Sequence, residues 1–259
     1  MVLYRLLFAS LGFAPVTWQA LRRAETRIAR EDISLILIAA VVGVPVLFLI
    51  QFAGLARTTV SHASLMVGAI PVLLAAASAM FNREHVTAGR WLALIASMIG
   101  AGLIAFGASS GEAGAQASLS GDLLVALSLF AGVAWILISQ RLMKTGRYSP
   151  VTVSAYVITA GTLMLVVWVI ATQGIPPIHL SPRTWASVAA AGFLATTATT
   201  YLWNWGIASV PASQAGVFLN LEPVVGAILG VVLLHEVLGS YSILGGVLVI
   251  GAAVFVAAK

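Results

Sequence analysis

The stretch GIASVPASQAGVFLNLEPVVGAILGVVLLHE, residues 206–236, repeats an earlier stretch of the same chain, GLARTTVSHASLMVGAIPVLLAAASAMFNRE, residues 54–84. Eight positions are identical at a constant offset of 152 residues. The identical pairs are Gly54/Gly206, Ala56/Ala208, Ser61/Ser213, Ala63/Ala215, Pro71/Pro223, Val72/Val224, Ala75/Ala227 and Glu84/Glu236. Both copies are apolar enough to lie in lipid, and two related halves in a membrane protein are typical of small-molecule transporters.

The composition excludes an ordinary soluble domain. Of the 259 residues, 61% are hydrophobic and only 8% are charged, whereas soluble domains carry about 25% charged residues. The net charge of +5 does not indicate a nucleic-acid partner, because the basic residues lie in short loops between apolar runs and not along one face. The chain has no cysteine, so it can form neither disulfides nor thiolate metal sites.

A helix needs about 20 mostly apolar residues to cross the roughly 30 Å hydrocarbon core of a bilayer. Nine such runs follow one another, and we number them spans 1 to 9 in chain order. They are Val2–Ala20, Ile33–Ala56, Val60–Phe81, Trp91–Ala108, Leu123–Leu142, Val151–Thr172, Trp185–Ala208, Ala212–Leu234 and Tyr241–Ala258. The pattern predicts an all-α, polytopic protein with nine transmembrane helices embedded in a lipid bilayer.

The basic residues between the spans predict the orientation. If span 1 runs inward, ten of them fall on the cytoplasmic side and three on the outer side. The cytoplasmic set is Arg22, Arg23, Arg27, Arg30, Arg83, Arg90, Arg141, Lys144, Arg147 and Lys259, and the outer set is Arg5, Arg57 and Arg183. This positive-inside bias predicts a multi-pass protein of the inner (plasma) membrane with its carboxyl terminus in the cytoplasm.

The repeat pairs spans 1–4 with spans 6–9 and leaves span 5 without a partner. Corresponding spans are five apart, so they cross the membrane in opposite directions, which predicts an inverted repeat. We expect a first, incomplete repeat of four helices in residues 1–110 and a second of five helices in residues 121–259. A helix equivalent to span 5 is then missing before Met1. A gene start placed too late is the favoured explanation, and a genuine nine-helix variant is the alternative.

Three motifs in the second half resemble the second EamA domain of the drug/metabolite transporter superfamily. They are YLWNWG at 201–206, NLEPVVG at 220–226 and LLHE at 233–236. Residues 54–55, Pro71 and residues 83–84 resemble the corresponding parts of the first domain. The resemblance implies ten helices in two inverted five-helix repeats, cytoplasmic termini, and export or exchange of small metabolites such as amino acids. This sequence departs from that pattern by lacking the first helix.

Glu222 is the first candidate for substrate binding, because it is the only acid deep within a span. An ionised carboxylate in the bilayer core is costly, so it should face the interior, pair, or stay protonated. It could couple transport to protons or bind a cationic group; the alternative is a structural acid. Asn220 is the second candidate. Two residues on a straight helix are rotated by about 200°, so only a kink at Pro223 would bring both side chains to one cavity.

Four further side chains are weaker substrate-binding candidates. Tyr201 and Asn204 lie on one face of span 7 and offer hydrogen bonds to a polar substrate. Trp135 of span 5 could form an aromatic wall, and Gln51 of span 2 offers an amide. The structural alternative is that these polar groups join neighbouring helices, as polar side chains in membranes commonly do.

The repeated prolines and glutamates are candidates for moving parts. Pro71 and Pro223 have no N–H, so each leaves a carbonyl four residues earlier without its helical donor and kinks the helix. They therefore mark a hinge or a central cavity, or a kink that serves packing alone. Glu84 and Glu236 close apolar runs at the membrane boundary, where we expect gate elements or helix-end anchors.

No catalytic motif, metal-ligand cluster or cofactor-binding loop is present in the sequence. We therefore expect no catalytic residue, metal or cofactor. The expected function is a secondary transporter of small polar or amphipathic metabolites that works by alternating access, with proton coupling as an option. A non-transporting structural or sensor protein is the alternative, followed by a membrane-embedded enzyme. Small residues such as Gly226 and Gly230 fit packing within a monomer or in a homodimer.

Overall fold

The computed structural model describes residues 1–22, 28–58, 63, 66–81, 85–108, 118–176, 178–234 and 240–257. Within these ranges the chain is helical and contains no strand, so the all-α prediction is confirmed. The helices are α1 (Val2–Arg22), α2 (Ile33–Val41), α3 (Leu47–Leu55), α4 (Ile70–Phe81), α5 (Ala88–Ala108), α6 (Leu119–Lys144), α7 (Pro150–Gln173), α8 (Pro182–Gly192), α9 (Thr199–Ile207), α10 (Ala212–Leu219), α11 (Leu221–Leu234) and α12 (Ser240–Ala257). Two π-helical segments, π1 (Val42–Val46) and π2 (Phe193–Ala198), interrupt spans 2 and 7.

By length and apolar composition, three described helical stretches could each cross a membrane alone. They are Ile33–Leu55, Leu119–Lys144 and Pro150–Gln173. Three shorter apolar helices accompany them, at Ile70–Phe81, Ala88–Leu103 and Ile243–Val256. Several predicted spans are thus built from shorter helical pieces.

The two π segments occupy equivalent positions in the repeat. Shifting Val42–Val46 by 152 residues gives positions 194–198, which lie inside π2. In π1, Pro45 cannot donate a backbone hydrogen bond. In π2, the hydroxyls of Thr196 and Thr197 donate to carbonyls five residues earlier, at 3.1 and 3.2 Å. Two different side-chain chemistries therefore accompany the same interruption, whereas the sequence predicted continuous helices.

The described residues form two compact units, and each draws on both halves of the chain. Unit 1 comprises Met1–Leu49 and Ala134–Ser209, and unit 2 comprises Ile50–Val133 and Val210–Lys259. In unit 1, α1 packs against α7, α2 packs against α7, and α8 packs against α1. Helices α1 and α7 belong to the corresponding spans 1 and 6, so the contact of span 2 with span 6 is equivalent to the contact of span 7 with span 1.

Unit 2 follows the same rule of pairing between corresponding spans. Helix α5 packs against α12, and α4 packs against α10. These contacts join span 4 to span 9 and span 3 to span 8. Apolar side chains fill the core between them, including Leu94, Val217 and Val256.

In each unit, a polar contact joins two loops that the sequence predicts on the same side of the membrane. In unit 1, the Tyr148 hydroxyl accepts a hydrogen bond from the Ala29 N–H at 2.9 Å and donates to Asp32 Oδ2 at 2.8 Å. Burial raises the pKa of Tyr148. In unit 2, the Ser118 hydroxyl donates to the Arg57 carbonyl at 2.5 Å. The first pair joins two loops that were both predicted to be cytoplasmic, and the second joins two predicted outer loops.

One face of span 7 is uncovered by any described residue. On span 2, α6 packs closely at Gly43 and Gly54. The equivalent positions on span 7 are Ala195 and Gly206. Ala195 is exposed, and a Cβ added to Gly206 would meet no atom within 4 Å. The two related spans therefore differ in whether a helix covers this face.

Close helix packing in unit 1 yields a first testable prediction. A Cβ added at Gly161 of α7 would lie 2.6 Å from the Ala40 carbonyl oxygen and from Val44 Cβ. We expect Gly161→Ala to destabilise the protein by roughly 1–3 kcal/mol, because the helices must separate. Thermal unfolding in detergent measures the effect. Gly206→Ala is the matched control and should be neutral or slightly stabilising; equal losses for both variants would contradict the packing argument.

Candidate functional site

A cavity of about 370 Å³ lies within unit 2. Its lining is largely apolar but contains three of the predicted site residues, Gln51, Asn220 and Glu222. The remaining lining residues are Leu55, Ala63, Val67, Gly68, Ile70, Ala101, Val125 and Leu219. A pocket that combines an apolar wall with a few convergent polar groups is the usual form of a small-molecule site.

Helix breaks next to the repeated prolines shape this cavity. Helix α10 ends at Leu219 and α11 begins at Leu221, so the interruption lies at Asn220. In span 3, a turn at 68–69 precedes α4. Pro71 and Pro223 cannot supply N–H donors to residues 67 and 219, and the helices stop at those residues. The cavity is lined by residues from both breaks.

Asn220 joins the two breaks directly. Its side chain is 2% exposed, and its Nδ2 donates to Ser97 Oγ at 3.0 Å and to the Gly68 carbonyl at 3.4 Å. Gly68 is the position equivalent to Asn220 in the first repeat, since the two lie 152 residues apart. Symmetry-related residues can touch only near the axis that relates them, so this hydrogen bond marks the pseudo-twofold axis of unit 2.

Glu222 and Asn220 line the same cavity. On a straight helix they would point to opposite faces, but α11 begins only after Asn220, and the interruption changes the direction of the side chains. Glu222 is exposed and has no ion-pair partner among the described residues. Gln51 is half-buried and adds an amide to the lining. The cavity therefore offers one carboxylate, two amides and an apolar wall.

Tyr201, Asn204 and Trp135 belong to unit 1 and do not line this cavity. Asn204 is buried, and its Nδ2 donates to Ser154 Oγ at 2.6 Å, which joins α9 to α7. Asn204 therefore joins two neighbouring helices, which is the structural alternative to its predicted role in substrate binding. Tyr201 is 39% exposed. The Trp135 ring lies against Gly43 of π1, and its Nε1 is buried without a partner in the described part of the chain.

The structure describes the two candidate hinge prolines but not the two candidate gate glutamates. Pro71 is buried and packs closely against Gly216. A Cβ added to Gly216 would lie 3.5 Å from Pro71 Cβ. Pro223 lies in the first turn of α11. Glu84 and Glu236 lie outside the described residues, so their predicted role as gates or anchors stays a prediction.

Sequence reasoning missed Ser97 and Gly68. Ser97 is fully buried, whereas the equivalent position in the second repeat is Val249, which is also fully buried. The sequence signal that could have identified Ser97 was a hydroxyl at a position where the related span carries valine. Gly68 takes part through its backbone carbonyl. Every residue type has this group, so the sequence could not single it out.

The Asn220 contacts yield a second prediction. Asn220→Leu should destabilise the protein by about 1–3 kcal/mol, because it leaves the Ser97 hydroxyl and the Gly68 carbonyl without this donor. The Ser97 hydroxyl keeps its own hydrogen bond to the Leu94 carbonyl at 2.9 Å, but its oxygen no longer accepts from Asn220. Adding Ser97→Val should therefore recover part of the loss, since it removes that unsatisfied acceptor. Thermal unfolding of the two single variants and the double variant measures the coupling. Strictly additive effects would show that the hydrogen bond contributes no stability.

Comparison with known proteins shows similarity to membrane transporters. The EamA-like transporter family matches residues 1–106 and 119–258. The uncharacterized transporter YdfC of Bacillus subtilis (strain 168) is 28% identical over 223 residues, or 82% of this chain and 71% of that protein. An uncharacterized transporter of Archaeoglobus fulgidus is 22% identical over 261 residues, or 99% of this chain and 86% of that protein.

A solved crystal structure of another protein shares the fold. It superposes with a TM-score of 0.81 at 20% sequence identity and covers 99% of this chain and 88% of that chain. The family match confirms the polytopic membrane fold predicted from the nine apolar runs. The chain belongs to the EamA-like transporter family.

Proposed function

We propose that this protein is a secondary transporter that carries a small polar or amphipathic metabolite across the membrane by alternating access. The observation that carries the proposal is the unit 2 cavity, where Asn220, Gln51 and Glu222 meet an apolar wall at two helix breaks. Its volume of about 370 Å³ suits a small metabolite. The polar groups are few, so they would orient a substrate whose body contacts the wall.

Glu222 is the group through which protons would be coupled to transport. Of the described residues that line this cavity, it is the one that can ionise. A carboxylate that faces a cavity in the membrane can release its proton when a cationic substrate binds and take a proton up when that substrate leaves. The same residue would then serve the substrate and the proton in turn.

The helix breaks are where we propose that the transporter bends. A helix interrupted at Asn220 or at residues 68–69 lacks the continuous backbone hydrogen bonds that resist bending. Pro71 and Pro223 keep these bonds from forming, so they act as hinges in this proposal. The segments π1 and π2 supply a second equivalent pair of interruptions, in spans 2 and 7.

The two alternative functions, a structural or sensor protein and an enzyme, fit the cavity less well than a carrier does. A structural or sensor protein would need no polar cavity at equivalent helix breaks, and an enzyme would need convergent catalytic groups. Among the described residues, one carboxylate and two amides line the cavity, and a carboxylate alone offers little to a catalyst. We therefore propose a carrier without catalytic activity, in the inner membrane, with a cytoplasmic carboxyl terminus and a monomeric or homodimeric state.

Purified protein in liposomes tests the proposal. Vesicles preloaded with single unlabelled amino acids or monoamines should accumulate the same labelled compound by counterflow for at least one member of the panel. Empty vesicles and vesicles with heat-inactivated protein are the controls. Conversion of a compound into a product would favour an enzyme, and absence of both flux and conversion across the panel would favour a structural role.

A further inference from the structure

Arg5 of α1 is a cation inside unit 1 to which the transport proposal gives no role. Its side chain is half-buried, and its Nε donates to Thr196 Oγ1 of π2 at 2.8 Å. Its guanidinium carbon lies 5.9 Å from the centre of the Phe48 ring. The guanidinium is therefore held in place by one hydroxyl and one aromatic ring.

These two partners place the guanidinium near the middle of the spans. Thr196 is the fifteenth of the 26 residues from Pro182 to Ile207, and Phe48 is the sixteenth of the 23 residues from Ile33 to Leu55. The position of Arg5 near the start of span 1 predicts that it lies on the outer side, but its contacts with Thr196 and Phe48 place its charge deeper in unit 1. Charged side chains at such depth are costly and usually serve a function.

The repeat supplies an internal control for packing. The residues equivalent to Arg5 and Thr196 are Val157 and Val44, and these valines are 1% and 0% exposed. The fold therefore buries apolar side chains at both equivalent positions. Packing alone does not account for the polar pair at Arg5 and Thr196.

The hydrogen-bonding capacity of Arg5 is largely unused. No carboxylate pairs with it among the described residues, and its two Nη groups donate to no described acceptor. A guanidinium binds a carboxylate or a phosphate through two parallel hydrogen bonds, for which the Nη groups are suited. Donors left without an acceptor at this depth are costly, and no described residue supplies the acceptor.

We propose that Arg5, positioned by Thr196, binds the oxyanion of a small molecule that also carries an apolar body, with a carboxylate as the preferred group. The Phe48 ring beside the guanidinium supplies an apolar surface for that body. As a substrate site, the assignment rests on the proposed transport function. A lipid headgroup phosphate offers the same oxyanion chemistry, so the test separates the two sources.

Binding of labelled phenylacetate to the purified protein in dodecyl maltoside tests the carboxylate. Phenylacetate should bind saturably, and the neutral isostere phenylacetamide should compete at least tenfold less well. Arg5→Gln should weaken binding at least tenfold, and Arg5→Lys should fall between, because an ammonium keeps the charge but loses the paired hydrogen bonds. The double variant Arg5→Val with Thr196→Val copies the valine pair of the other repeat, so it should fold and lose binding.

Native mass spectrometry of the same variants tests the lipid. Phosphatidylglycerol that stays bound to the wild type and is lost from Arg5→Gln would support the oxyanion site with a lipid as its source. If neither phenylacetate nor phosphatidylglycerol distinguishes wild type from Arg5→Gln, the site is wrong. Arg5-dependent binding without counterflow in liposomes would leave the site standing and overturn the transport proposal. Counterflow that is unchanged in Arg5→Gln for a carboxylate substrate would overturn Arg5 as a substrate site and leave the transport proposal standing.

Discussion

Glu222→Gln is expected to abolish substrate-driven proton movement while the protein stays folded. Glutamine fills nearly the same volume and keeps a hydrogen-bonding group in the cavity, but it cannot release or bind a proton. In liposomes with a trapped pH dye, a substrate gradient across the wild-type protein should change the internal pH. The variant should lower this rate at least tenfold, because Glu222 is the ionisable residue that lines the cavity.

The pH dependence of counterflow separates coupling from binding. Exchange by the wild type should depend on pH because protons and substrate compete for Glu222 in this proposal, and exchange by Glu222→Gln should not depend on pH over the same range. Glu222→Asp is the matched control, because it keeps an ionisable group at the site and should retain pH-dependent transport at a reduced rate. If Glu222→Gln keeps gradient-driven proton movement, proton coupling through this residue is excluded.

Local chemistry explains what the sequence could predict. Runs of apolar residues predicted the helices, and Pro71 and Pro223 predicted where spans 3 and 8 would be interrupted, because a missing N–H acts within one turn. The constant offset of 152 residues also predicted which spans correspond. The packing of α1 against α7 and of α5 against α12 joins corresponding spans, but it became visible only in the structure.

Contacts between distant residues explain what the sequence could not predict. The hydrogen bond from Asn220 to Ser97 joins residues 123 positions apart, and neither residue alone reveals it. Arg5 was counted on the outer side because it lies near the start of span 1, and that position does not reveal how far its side chain reaches toward Thr196. The cavity likewise combines Gln51 with Asn220, which belong to different repeats.

The π segments are the other feature that local patterns did not reveal. A π segment adds one residue to a helical turn, and such turns occur often at functional sites. Spans 2 and 7 carry one each at equivalent positions, although π1 contains Pro45 and π2 is rich in threonine. Because different sequences give the same interruption, we infer that the interruption itself contributes to function and is not a by-product of one residue type.

Deletion of Ala195 is therefore expected to stop transport without unfolding the protein. Ala195 is an exposed residue of π2, and its removal lets the helix close into a regular α-helix while the flanking residues keep their directions. An uninterrupted helix bends less readily, so counterflow should fall at least tenfold while thermal stability stays near that of the wild type. Ala195→Gly keeps the chain length and the π turn, and it should transport normally. If the deletion variant exchanges substrate at the wild-type rate, π2 is a structural irregularity alone, and the bending must occur at the breaks beside Pro71 and Pro223.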